Sequence, residues 1–272
     1  MKPNDTDRSF AGSIPQLYEQ LMVPLIFEPY AADLAARAVA LKPRALLEVA
    51  AGTGVVTRQL ARALPADCDM LVTDLNVPML EHARSLGTAR PVRWQQADAM
   101  SLPFDDASFD LVVCQFGAMF FPDKPQAYAH ARRVLKPGGT FLFNVWDRIE
   151  TNELADVVTR SLAELFPDDP PRFLERTPHG HFDHERLRGD LAQAGFEREA
   201  RIDVVSARSI ADAAWKPALA YCQGTPLRNE IEARDASGLE RATRHAAAAI
   251  ERRFGSGRID AGIRAHVVTV MR

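Results

Sequence analysis

The feature that most limits what this 272-residue chain can fold into is the alternation of short apolar segments with amphipathic ones between residues 45 and 146. "ALLEVA" (45–50), "DMLVTD" (69–74), "VRWQQA" (92–97), "FDLVVC" (109–114) and "TFLFNVW" (140–146) read as strands. The first, fourth and fifth are nearly continuous apolar runs, as expected of strands buried on both faces of a parallel sheet. Between the strands, "GVVTRQLARAL", "VPMLEHARSL" and "KPQAYAHARRVL" carry helical periodicity. This rhythm predicts right-handed βαβ units in an open, doubly wound α/β sheet. Ligands of such sheets sit at the carboxyl ends of the strands.

The flanks read differently. Ile14, Leu17, Tyr18, Leu21, Met22, Leu25 and Ile26 share one helical stripe, which Pro24 should break or kink. A second helix, "PYAADLAARAVAL", leads into the first strand. After Trp146 the pattern gives a helix over 153–165, a proline-rich loop over 166–184 and a helix around 185–194. An alternating strand near 200–207, a mostly helical stretch to Gly255 and a closing antiparallel strand "RAHVVTVM" follow. The expected division is an N-terminal helical cap (1–40), a cofactor-binding core (41–147), and the remainder of a seven-stranded sheet with helical insertions (148–272).

Composition excludes several partners. A net charge of −3 gives no global field to recruit nucleic acid or an anionic membrane. "RRVLKPGG" looks basic, yet it reads better as a helix end and a turn with positive φ at Gly138 and Gly139. Cys68, Cys114 and Cys222 are odd in number and form no CxxC pair, which argues against disulfides or a zinc knuckle and suits a reducing cytosol. The first sixteen residues lack an apolar signal core, and no later run reaches membrane-spanning length. The expectation is a cytoplasmic protein without membrane insertion.

Three acids carry the chemistry. Glu48, Asp74 and Asp98 end or follow successive strands, where a ligand at the sheet's carboxyl edge could meet each of them. The turn "AAGTG" (50–54) is small throughout, so backbone can approach a ligand closely. A carboxylate at Asp74 can accept from both hydroxyls of a ribose. Asp98 and the N–H of Ala99 can read an adenine edge. A nicotinamide dinucleotide site would need a third small residue where Thr57 stands in Gly52-x-Gly54-x-x-Thr57. An NAD(P)-dependent oxidoreductase is therefore the less favoured alternative.

"LLEVAAGTG", "VTDLNVPML", "QQADAMSLPFDDASFDLVVCQFGAMFF" and "ARRVLKPGGTFLFNVWD" together resemble the successive motifs of class I S-adenosylmethionine-dependent methyltransferases. The likeness is greatest to the branch containing the ubiquinone/menaquinone methyltransferases and covers residues 45–147. It implies a Rossmann-like fold with S-adenosyl-L-methionine as cofactor. It also implies that Glu48, Ala50 and Gly52 surround the methionyl part, Asp74 and Leu75 the ribose and adenine, and Asp98 and Ala99 the adenine. Gln115 would face the methyl end, with Thr53, Gly54 and Met79 completing the cofactor set. One departure is that the family's first glycine is Ala50 here.

Other residues have a plainer reading beside a functional one. Tyr18, His179 and His181 are the candidates for acceptor contact or proton handling, although core packing and solvated loop histidines explain them as well. Phe116, Met119, Phe120 and Phe121 could wall an apolar acceptor site. No metal site is expected from "HGHFDH". The expected activity is methyl transfer to a small apolar or aromatic acceptor, with a homodimer allowed. The rival is a non-catalytic S-adenosylmethionine-binding module.

Overall fold

The computed structural model describes Asp7, Phe10 and residues 12–272; the remaining opening residues of the expected N-terminal cap lie outside the described residues. Seven strands form one sheet: β1 (Ala45–Glu48), β2 (Asp69–Asp74), β3 (Arg93–Gln96), β4 (Phe109–Gln115), β5 (Leu135–Trp146), β6 (Arg201–Ala211) and β7 (Ile259–Met271). Their order is β3-β2-β1-β4-β5-β7-β6. The first five pair in parallel, and β7 runs antiparallel to both β5 and β6. The chain thus reverses its strand order between β1 and β4, the point where doubly wound sheets bind ligands.

Apolar side chains on both faces explain why the central strands are buried. Leu46, Leu111, Val113, Leu142 and Val267 pack one side against Leu34, Val56 and Leu60, from helices α2 (Glu28–Ala40) and α3 (Val55–Ala63). Leu47, Val112, Phe141 and Phe143 pack the other against Tyr128 and Val134 of α5 (Lys124–Val134). Between these lies α4 (Val77–Leu86), which follows β2.

Three expectations are corrected. Pro24, expected to break or kink the first helix, disturbs it without ending it. After a short α1 (Ile14–Leu17), the chain widens into π-helical turns over Tyr18–Phe27 and continues as α2. Pro24 can donate no hydrogen bond, and the wider turn lets Glu28 N reach Val23 O instead. In the turn that opens β5, Gly138 has φ 80° but Gly139 does not take positive φ. Gly139 is confined by close approach, since a Cβ there would lie 2.9 Å from Lys136 O. Finally, β6 and β7 are longer than the sequence suggested, paired from Arg201↔Thr269 to Ala211↔Ile259.

The cap over the carboxyl edge comes from both ends of the chain. It contains the π-helical segment, α6 (Glu153–Leu165), the short α7 (Phe173–Arg176) inside the proline-rich loop, and α9 (Trp215–Gln223), α10 (Leu227–Arg234) and α11 (Leu239–Phe254). The eighth helix, α8 (His184–Gln193), packs beside α5. Among the described residues, no helix is long and apolar enough to cross a membrane.

Candidate functional site

After β1 the chain turns sharply. Ala50 (φ 55°), Gly52 (φ 58°) and Gly54 (φ 80°) all take left-handed backbone. That conformation costs a residue with a Cβ about 1–2 kcal/mol and glycine almost nothing, so the strain sits at Ala50. Gly54 is the N-cap of α3. Asp74, at the end of β2, accepts from Gly52 N at 2.8 Å and from Asn76 N at 2.7 Å. Its carboxylate therefore ties the turn after β1 to the start of α4. Burial raises its pKa, and these N–H donors oppose the rise. Asp98 accepts from Met100 N at 2.9 Å and caps the 3-10 turn Ala99–Ser101.

These elements frame a cleft of about 710 Å³. Of the residues expected to hold the cofactor, Ala50, Gly52, Asp74, Leu75, Met79, Asp98, Ala99 and Gln115 line it. Glu48, Thr53 and Gly54 do not. Glu48 is 1% exposed and lies beneath the turn, where its Oε2 accepts from the Thr57 hydroxyl at 2.7 Å. Burial pushes the Glu48 carboxyl up to about 8, against the pull of Thr57 and Arg58. Thr53 is buried with its hydroxyl unpartnered among the described residues.

Charge decides which nucleotide suits the cleft. Its described wall carries two carboxylates, Asp74 and Asp98, and no lysine, arginine or histidine. A pyrophosphate would meet no cationic side chain there, whereas a sulfonium would meet two carboxylates. Gln115 adds a buried Oε1 without a partner, an acceptor that a ligand's ammonium can satisfy. Thr57, occupying the position a dinucleotide motif gives to a small residue, spends its hydroxyl on Glu48. The residues present fit a sulfonium nucleoside and disfavour a dinucleotide.

A second cavity of about 550 Å³ adjoins the first, beneath the cap. Phe10, Tyr18, Phe116 and Phe120 belong to both walls. Phe116, also in left-handed backbone at φ 51°, donates its N–H to Asn144 Oδ1 at 2.8 Å. Its ring stacks on Trp146 with centroids 3.8 Å apart. Tyr18 stacks on Phe27 at 4.9 Å, and burial with the nearby Asp74 charge raises its phenol pKa. Phe10 sits at the junction, where its N–H donates to Asn76 Oδ1 at 3.4 Å, and Asp7 accepts from Arg176 at 2.8 Å and Thr177 at 2.6 Å.

The two histidine candidates part company. His179 lines the second cavity and donates from Nδ1 to Asp147 O at 2.8 Å. His181 lines neither cavity, but sits 3.3 Å from the Tyr128 hydroxyl behind α5. Of the aromatic run, Phe116, Met119 and Phe120 reach the second cavity and Phe121 only the cleft. Sequence reasoning missed Phe27, Trp146, Phe173 and Tyr221, which are far apart in the chain. Only the position of Trp146 at the end of a core strand offered a signal. Among the described residues, no three His, Cys, Asp or Glu side chains gather as a metal would require.

Residues 47–143 match the family model of the methyltransferase domain. Over 167 residues the chain is 37% identical to the ubiquinone/menaquinone biosynthesis C-methyltransferase of Stutzerimonas stutzeri, covering 56% of this chain and 65% of that enzyme. It therefore spans slightly less than two thirds of that relative's length. Among solved structures, it resembles phosphoethanolamine N-methyltransferase 2 of Haemonchus contortus at a TM-score of 0.60 and 17% identity, covering 98% of this chain and 59% of that one. The YcgJ protein of Bacillus subtilis gives a TM-score of 0.56 at 18% identity, covering 90% and 98%.

Proposed function

We propose that this chain, whose residues 47–143 match a methyltransferase domain, is a class I S-adenosylmethionine-dependent methyltransferase that transfers a methyl group to a small apolar or aromatic acceptor. The observation that carries the reading is the pair of adjoining cavities. One is acidic and nucleoside-sized; the other is aromatic, and the two meet at Phe10, Tyr18, Phe116 and Phe120. A binding module would not need the second.

In this reading Asp74 holds the ribose, Asp98 and the Ala99 N–H the adenine, and the turn from Ala50 to Gly52 with Gln115 the amino-acid end. S-adenosylmethionine supplies a methyl group already activated as a sulfonium. What remains for the chain is alignment and dryness. The cap supplies both: the aromatic wall orients a flat acceptor, and Phe10 covers the junction.

The relative named above belongs to ubiquinone and menaquinone biosynthesis, which supports an aromatic acceptor here. The family-model match itself includes only Phe116, Met119 and Phe120 of that cavity's lining.

The test is calorimetry followed by turnover. S-adenosylhomocysteine should bind and NAD should not. Incubation with S-adenosylmethionine and a panel of uncharged aromatic compounds should release S-adenosylhomocysteine only when an acceptor is present. Binding without acceptor-dependent release across the panel would return the chain to the non-catalytic alternative. Turnover of nucleic acid but not of small molecules would overturn the acceptor class.

A further inference from the structure

The second cavity is almost wholly apolar, so each polar atom on its wall constrains what can lie there. Its described lining contains no aspartate, glutamate, lysine or arginine. Burying an unpaired ionic group in such a place is heavily penalised, which restricts the occupant to an uncharged molecule. Thr225 spends its hydroxyl on Tyr221 O at 2.7 Å and takes Leu227 N at 3.2 Å. Asn152 is turned away, with Nδ2 donating to backbone carbonyls such as Arg264 O at 3.2 Å and Oδ1 accepting from Arg264 N at 3.1 Å. Its polar atoms are fixed in the framework. The hydroxyls of Tyr18 and Tyr221, on the same wall, can donate as well as accept, so they do not tell a hydroxyl from a keto or methoxy oxygen.

His179 is different. It is 5% exposed, and the only described hydrogen bond of its ring runs from Nδ1 to the Asp147 carbonyl at 2.8 Å. A carbonyl can only accept, so Nδ1 must carry the proton. Burial pushes the ring's pKa down to about 4, against a smaller opposing pull from the Asp147 carbonyl and carboxylate, and the imidazole is neutral at pH 7. Nε2 is then a lone pair in a fixed direction, with no partner among the described residues. Two further contacts immobilise the ring: Trp146 lies 6.0 Å away, centroid to centroid, and His179 N donates to Leu174 O at 3.0 Å.

We propose that His179 Nε2 selects acceptors carrying a hydroxyl donor, so that the pocket takes an uncharged hydroxylated aromatic in preference to its methoxy or keto counterpart. This deepens the methyltransferase reading and rests on it. An occupant without a donor leaves Nε2 buried and unmet, and that loss discriminates more sharply than any apolar contact on the wall.

The probes are 2-naphthol and 2-methoxynaphthalene, which share a ring system and differ in the donor. In the protein saturated with S-adenosylhomocysteine, 2-naphthol should bind on the order of tenfold more tightly. His179→Phe should abolish that preference by weakening 2-naphthol alone, while S-adenosylhomocysteine affinity stays as in the unaltered protein. The nitrogen-15 spectrum of the histidines provides a second measurement that needs no variant. It should show His179 protonated at Nδ1, with the Nε2 resonance moving on addition of 2-naphthol but not of 2-methoxynaphthalene. Equal affinities for the two probes, a preference that survives His179→Phe, or a proton on Nε2 would each overturn the assignment. Failure of S-adenosylhomocysteine to bind would instead strike the methyltransferase reading, so the two failures are separable.

Discussion

Ala50 occupies a backbone position that favours glycine, and Glu48 lies two residues earlier under the same turn. Of the acids read from the sequence, Asp74 and Asp98 reach the cleft and Glu48 does not. The spacing showed that each acid ends a strand. It could not show which way a side chain at the end of a buried strand points, because that depends on Thr57 rising from the next helix. The consequence is measurable. Glu48 has a folded-state pKa of about 8, above its ordinary value of 4.5. Between those two values the folded protein holds a proton that the unfolded chain releases, so this residue's contribution to stability falls as pH rises toward 8. In denaturant unfolding, Glu48→Gln should therefore gain stability relative to the original protein as pH rises from about 5 to 8. A parallel pair of curves would contradict the assignment. Asp74→Ala removes the partner of Gly52 N and the group assigned to the ribose. It should weaken S-adenosylhomocysteine binding by about 1–3 kcal/mol in calorimetry.

At the level of elements, the parallel half of the sheet was legible because its strands are apolar on both faces and its helices keep a period of 3.6 residues. The antiparallel part was only partly so. Ile259, Ala261, Ile263 and Ala265 face inward while Asp260 and Arg264 alternate with them, a period-two pattern that begins before the apolar run at Val267. The π-helical path around Pro24 was legible only as a disturbance, since a missing N–H does not say whether a helix stops, kinks or widens. A close approach between two turns is also invisible in sequence. A Cβ at Gly117, after β4, would lie 2.4 Å from Ala50 Cβ and 2.8 Å from Cys114 Sγ. Gly117→Ala should cost about 1–3 kcal/mol by overpacking. In an Ala50→Gly background the same change should cost measurably less, because one of its two obstacles is gone. Additive effects in that double-mutant cycle would show that the two turns do not brace each other.

Across the whole molecule, the cleft proposed for the cofactor is drawn, apart from Phe10 and Tyr18, from residues 49–122, whereas the cavity proposed for the acceptor is assembled from residues as distant as Phe10, Phe27, Trp146, Phe173, Tyr221 and Ile263. That difference explains why the first could be read from motifs and the second could not. Contacts between residues so distant in sequence are fixed only by the finished fold. The four rings common to both walls carry a thermodynamic obligation. Whatever filling one compartment does to the packing of those rings alters the fit of the other by an identical factor in both directions. The ratio of 2-naphthol dissociation constants with and without S-adenosylhomocysteine should equal the ratio for S-adenosylhomocysteine with and without 2-naphthol, and both should differ from one. A shared partition makes the two ligands readers of each other's presence, even where they never touch.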